Sequence, residues 1–252
     1  MYEAPKQILI CLLAAHFLGD FILQSDGDAH GKGRLPILLK HGLIIAALGY
    51  ILCGIWSLWQ IPLIIFLTHG LTDYIKATTK KESAYSFILD QAVHLAVIGV
   101  MIIIIDGTNI VPQSKMEIFW VRLLGKSFLK SLILISGVTV AVKAGGILIG
   151  LAVKPFTDQL PTSGEGITSA RGFENGGKVI GYLERTLIFL FILTGQPSGI
   201  GFLIAAKSIL RFGEVKDQQN RMEAEYIIIG TLMSFGYGMF IAYVTQFFLD
   251  TV

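Results

Sequence analysis

The stretch HFLGDFI, residues 16–22, lies inside an apolar segment, Gln7–Gln24, and HGLTDYI, residues 69–75, repeats its pattern 53 positions later. A helix needs roughly 20 predominantly apolar residues to cross the hydrocarbon core of a bilayer, and both stretches occupy segments near that length. A histidine and an aspartate at i and i+4 project from one helix face, with about 6 Å of axial rise between them. An aspartate at such depth costs about 2.5–3.5 kcal/mol on insertion scales, so it must face protein and find a partner.

The spacing extends beyond the two stretches. A shift of 53 also matches Gln7 with Gln60, Ile8 with Ile61, Leu18 with Leu71 and Ile22 with Ile75. His41 follows His16 by 25 residues and His94 follows His69 by 25, so four of the five histidines obey one shift. The pattern predicts two tandem helix-hairpin repeats over residues 7 to about 105, inserted in the same direction as parallel repeats. Successive spans run antiparallel. The pairs His16/Asp20 and His69/Asp73 near the ends of two spans therefore meet His41, Asp90 and His94, which lie near the beginnings of the next two, at one membrane face. His30, in the loop SDGDAHGKG, stands outside the shift and reads as a solvated residue.

Composition supports the membrane reading. The chain has 252 residues, 53% of them hydrophobic and only 15% charged, with mean hydropathy +0.67, which excludes an ordinary soluble domain. About eight apolar segments are expected, at 7–24, 36–58, 61–76, 85–105, 131–153, 178–194, 197–210 and 226–248. The fold class that follows is an all-α polytopic membrane bundle. Its expected domains are the duplicated His/Asp hairpin domain, 1–112, and a second membrane domain, 113–252. The second holds an amphipathic interfacial helix over KMEIFWVRLLGKSFLK, residues 115–130, and a polar loop at 157–177. The first apolar segment has no small-residue cleavage site after it and reads as retained. Cys11 and Cys53 read as packing residues. A net charge of +2 without a long basic block argues against nucleic acid. Basic residues counted on alternate sides orient the His/Asp cluster toward the cytoplasmic face of what is expected to be the cell inner membrane.

Histidine nitrogens and carboxylate oxygens are the ordinary ligands of zinc, and also of manganese and non-haem iron. His16, Asp20, His41, His69, Asp73 and His94 are the candidate ligands, and Asp90 is a spare carboxylate available as general base. Against this, a lone histidine in a span commonly serves as an interhelical hydrogen-bonding residue, and Asp20 or Asp73 can simply orient one. Three function classes remain open. One is a metal-dependent hydrolase acting on a lipid-linked, phosphate or acyl substrate. Another is a proton- or ion-coupled transporter using the same cluster. The third is a membrane assembly or regulatory protein with a structural metal.

The motifs HFLGDFILQ, KHGL, THGLTDYIK and DQAVH together resemble the bacterial membrane family known as domain of unknown function 3307, over about residues 8–105. That resemblance implies a membrane location and no established activity. A likeness to bacterial integral-membrane metal-dependent hydrolases rests only on His and Asp at span ends. In the second half, Arg185, Lys207 and Arg211 are candidates for binding an anionic headgroup or phosphate. The alternative is that Glu184 or Glu225 pairs with Lys207 or Arg185 within the bundle, or that the long basic chains snorkel to the surface. Gly145-Gly146 and the small residues of SFGYG suggest close helix contacts.

Overall fold

The computed structural model of the chain describes residues 3–25, 27, 28, 31, 33–79, 82–107, 117–159, 175–212 and 221–252, with side chains except at 3, 79, 210–212 and 221–224. Every regular element among them is helical. These are α1 (Glu3–Leu18), which continues as a π-helical stretch (Gly19–Leu23), α2 (Leu35–Cys53), α3 (Gln60–Thr79) and α4 (Ala84–Gly107). A short α5 (Phe119–Leu124) precedes α6 (Lys126–Thr139), a second π-helical stretch (Val140–Ala144) and α7 (Gly145–Thr157). The last are α8 (Gly176–Leu193), α9 (Ser198–Phe212) and α10 (Arg221–Asp250). The all-α reading holds, and each of the eight expected apolar segments falls on a helix. Among the described residues five helical segments are long and apolar enough to cross a membrane: Ala4–Leu23, Leu35–Cys53, Ala84–Gly107, Lys126–Thr157 and Glu225–Asp250.

Two expectations shift. The segment expected over 36–58 ends at Cys53, because Gly54 takes a positive φ of 57° and its N–H closes on the Tyr50 carbonyl at 3.0 Å. Glycine reaches that conformation without strain. The Trp120 indole N–H donates to the Ile51 carbonyl, 2.6 Å away, so α5 satisfies a group that the end of α2 leaves open. The single interfacial helix expected over 115–130 is divided instead. Gly125, with φ of 65°, stops α5 after one and a half turns, and Lys126 and Lys130 belong to α6. Residues 115 and 116 of that stretch, and 160–174 of the expected polar loop, lie outside the described residues.

The chain divides into two compact units, Met1–Thr139 with Phe248–Val252, and Val140–Phe247. In the first, α1 packs on α2, α4 and α6, and α2 packs on α3. Ile8, Cys11, Leu12, Ile45, Cys53 and Leu129 are buried in its core, and both cysteines are free. The Lys6 ammonium donates to the Thr251 carbonyl, tying the start of α1 to the end of the chain. In the second unit Ile188, Phe189, Ile192, Ile200 and Phe235 form a smaller core.

The helices are arranged inside out for water. On α2 the buried face carries Leu38, His41, Gly42 and Ile45, while Leu35, Leu39 and Leu43 are exposed at 64%, 45% and 62%. Leu67 and Leu71 of α3 and Ile103 of α4 likewise point outward, with His69, Asp73, Asp90 and His94 buried. Polar groups inside and large apolar groups outside suit lipid as the surrounding solvent. Glycine sets the spacing at the polar level. A Cβ on Gly19 would lie 2.5 Å from Ile45 Cγ1, so only glycine lets α2 come this close to the π-helical stretch. Gly19→Val should therefore lower stability by about 1–3 kcal/mol through overpacking. Gly33→Val, where nothing lies within 4 Å of the added Cβ, is the control. Equal unfolding midpoints for the two variants in detergent would contradict the packing assignment.

Candidate metal centre

His16 occupies the last turn of α1, and Asp20 the first turn of the π-helical stretch that follows. Such a widening of the helix is uncommon and concentrates at functional positions. The close approach at Gly19 brings His41 of α2 against Asp20, with His41 Nε2 3.2 Å from Asp20 Oδ1. From α3, His69 Nε2 reaches to 3.1 Å of His41 Nε2 and 3.4 Å of Asp20 Oδ1. Asp73, one turn further along α3 and fully buried, places Oδ2 3.5 Å from both His41 Nε2 and His69 Nε2. Two imidazole nitrogens thus face one another, with a carboxylate oxygen from each of two elements beside both.

A second layer comes from α4. His94 Nε2 lies 3.8 Å from Asp73 Oδ1 and 3.7 Å from Asp90 Oδ1. Its ring stacks on His69 at a centroid distance of 4.1 Å and lies 5.0 Å from His16. Gln91 bridges three groups: its Oε1 is 3.2 Å from His16 Nε2, and its Nε2 is 3.4 Å from Asp20 Oδ2 and 3.2 Å from Asp90 Oδ2. The Lys76 ammonium donates to Asp90 Oδ2 at 2.7 Å. Among the described residues His94 Nε2, His16 Nδ1 and Asp90 Oδ1 are buried without a hydrogen-bond partner. Leaving such atoms unsatisfied is costly, so they mark places where a further group belongs. A cavity of about 30 Å³ runs below the rings, lined by His16, His69, His94 and Thr68 on its polar side and by Leu12, Ile45, Ile98 and Met101 on its apolar side.

The six candidate ligands and Asp90 are therefore gathered into one buried cluster. The expected neighbours are present with one rearrangement. His16 lies 5.8 Å from His69 between ring centroids, while His41 and His94 meet through the two oxygens of Asp73. Three sets of residues offer ligand atoms within 4.8 Å of one another: His16, His69 and His94; Asp20, His41 and His69; Asp73, Asp90 and His94. His30 lies outside the described residues. Arg185 and Lys207 belong to the second unit, where Lys207 Nζ pairs with Glu184 Oε1 at 2.7 Å. The side chain of Arg211 lies outside the described residues.

Two members of the cluster were not singled out from the sequence. Lys76 is three residues after Asp73 and seven after His69, a spacing that places it on the same helix face. Gln91 sits between Asp90 and His94 in DQAVH, as the one amide of α4. Both signals were present, but neither residue has a counterpart under the 53-residue shift, which pairs them with Leu23 and Leu38.

Residues 8–121 match the model of the family described as Protein of unknown function (DUF3307). The match encloses the whole His/Asp cluster. No curated protein and no solved structure matches the chain.

The ion pairs generate a contrast in stability. Lys76 is the one ammonium that touches the carboxylates of the His/Asp cluster among the described residues, whereas the exposed Lys40 pairs with Asp28. Hydrogen bonds from Lys40, then Ser25, hold the Asp28 carboxyl below its ordinary value. Lys76→Met should cost about 1–3 kcal/mol, less than the loss of a fully buried pair because Lys76 is part-exposed. Lys40→Met should have little effect. Adding Asp90→Asn should restore much of the Lys76→Met loss by removing the stranded charge. Thermal unfolding in detergent reads all three, and no recovery in the double variant would contradict the electrostatic account.

Proposed function

We propose that the N-terminal unit is an intramembrane metal centre of hydrolytic type, with a divalent ion held by Asp20, His41 and His69 and with Asp73 beside the two imidazoles. One observation carries the reading. The distances joining His41 Nε2 and His69 Nε2 to each other, to Asp20 Oδ1 and to Asp73 Oδ2 are 3.1, 3.2, 3.4, 3.5 and 3.5 Å. Ligand atoms at about 2.0–2.1 Å from a tetrahedral zinc are about 3.3–3.4 Å apart. Charge supports the same assignment. Among the described residues of the cluster, Asp20, Asp73 and Asp90 bring three formal negative charges and Lys76 one positive, which leaves two when the imidazoles are neutral. A divalent ion balances them. Zinc suits two imidazoles and two carboxylates, and manganese or iron takes the same donors.

Such an ion supplies a water of lowered pKa and polarises a phosphoryl or acyl oxygen. The chain's own groups do the rest. Asp90 Oδ1, without a hydrogen-bond partner among the described residues, accepts a proton, and Lys76 fixes the other oxygen of the same carboxylate. Gln91 holds His16, Asp20 and Asp90 in register, the orienting role that partners of metal ligands perform. The apolar outer faces of α2, α3 and α4 suit a lipid surrounding, which favours a lipid-linked or otherwise amphiphilic phosphate or acyl compound as the substrate class.

A second reading is favoured by the 3.1 Å contact between the two imidazole nitrogens, since a proton can bridge them. In that case Gln91, His16, His41, His69 and the carboxylates form a proton or ion pathway without a metal. Metal analysis of the purified protein separates the two. His41→Ala and His69→Ala should each reduce bound metal to background, His30→Ala should retain it, and His16→Gln should retain it with binding weakened about 10–100-fold. Equal metal content in wild type, His41→Ala and His69→Ala would sink the assignment, and a metal-free protein with a folded cluster would favour the proton pathway. A folded, metal-loaded protein that shows no chelator-sensitive hydrolysis of phospholipid or acyl-lipid substrates would leave the metal a structural role.

A further inference from the structure

The second unit contains a buried cation that no described carboxylate pairs with directly. Arg185 is only 3% exposed. It is the tenth residue of the 18-residue helix α8, about 14 Å from the helix start at 1.5 Å per residue. Its Nη1 donates to Ser234 Oγ at 2.9 Å and its Nη2 to the Val142 carbonyl at 3.2 Å. Both acceptors are neutral. Nε is buried without a hydrogen-bond partner. Guanidinium carries five N–H groups, so the two bonds leave a fork that includes Nε–H, the geometry that takes carboxylate or phosphate side-on.

The nearest acid in sequence acts on this charge only at a distance. Glu184 is engaged by Lys207, at 2.7 Å. Among the described residues no carboxylate forms an ion pair with Arg185 or with Lys143. Both cations lie against the same ring, Arg185 Cζ at 5.7 Å and Lys143 Nζ at 5.3 Å from the Tyr182 centroid. Two cations near one aromatic ring repel each other, and an anion shared between them would offset that repulsion.

The backbone is shaped around this arginine. A Cβ on Gly145, Gly146 or Gly181 would lie 3.2 Å from Arg185 Cδ, Nη2 or Nη1 respectively, so backbone reaches the guanidinium where any side chain would crowd it. Lys143 and Val142 both lie in the π-helical stretch Val140–Ala144, whose Val140 carbonyl accepts from the Tyr237 hydroxyl at 3.1 Å. A π-helical turn, a buried arginine in an apolar helix and an orphaned N–H thus coincide.

We propose that Arg185 and Lys143 form a binding site for a phosphate-class oxyanion, separate in the chain from the His/Asp cluster. Arg185 supplies the bidentate fork, and Lys143, which is exposed, supplies a second positive charge at the entrance. Lys207 is not part of the site, because its charge is spent on Glu184. The anion is either free phosphate or the phosphodiester of an anionic lipid headgroup.

The test uses the full chain, purified in neutral detergent and in nanodiscs. Inorganic phosphate is titrated against sodium chloride at matched ionic strength, and unfolding midpoints are compared between phosphatidylglycerol and phosphatidylcholine nanodiscs. Saturable stabilisation by phosphate, weakened about tenfold in Lys143→Gln and lost in Arg185→Lys, supports the site with free phosphate as its ligand. Stabilisation only by phosphatidylglycerol, diminished in the same variants, supports it with a lipid headgroup. Lys143→Gln carries the decision if Arg185→Lys fails to fold, because Lys143 is exposed. The proposal is overturned if neither anion stabilises the wild type beyond its control, or if Lys143→Gln responds as the wild type does. Metal content is measured in parallel and should not change.

Discussion

Three carboxylates buried among apolar helices set the terms for the first unit. Asp20, Asp73 and Asp90 lie where water does not hydrate them, and an uncompensated charge there is too expensive to keep. Asp20 and Asp73 are met by imidazole nitrogens from other elements, and Asp90 by His94 of its own helix, an ammonium and an amide. No single helix provides this compensation. Asp20 needs α2 and α3, and Asp73 needs α2 and α4, so satisfying the charges requires the four helices to converge. Stability and site geometry therefore arise from the same contacts.

Convergence depends on what the helices lack at that level. Gly19 has no Cβ to displace Ile45. The second unit follows the same rule with the opposite sign. There, glycines 145, 146 and 181 bring backbone to a buried guanidinium. Two π-helical stretches mark the two places, one carrying Asp20 and the other Lys143. Each widens its helix where a charged side chain must depart from ordinary helical spacing.

Much of the first unit's chemistry was legible because helix periodicity converts sequence spacing into a shared face. His16 with Asp20, and His69 with Asp73, are i, i+4 pairs in sequence and lie 3.8 and 3.5 Å apart in space. Lys76 and Gln91 were harder to see, since their importance depends on Asp90, a residue outside the shift. In the second unit, the ambiguity over Lys207 was one of partner choice. A lysine within an apolar helix reads equally as an anion site or an ion pair, and the packing of α9 on α8 brings it to Glu184. The division of the expected interfacial helix at Gly125 depends on a single backbone angle, which an amphipathic pattern running through the glycine conceals.

By itself the sequence determined that this chain is helical and suited to lipid, and which polar residues share a helix face. Those properties follow from hydropathy and the 3.6-residue repeat, both local to a segment. Only the tertiary structure decided that His41 and His69 face each other at 3.1 Å with Asp20 and Asp73 beside both. It likewise decided that Glu184 takes Lys207 and leaves Arg185 to neutral partners. Those outcomes depend on how closely the helices approach and how each is rotated about its axis. Such quantities are set by side chains far apart in the chain, and no periodicity within one helix encodes them.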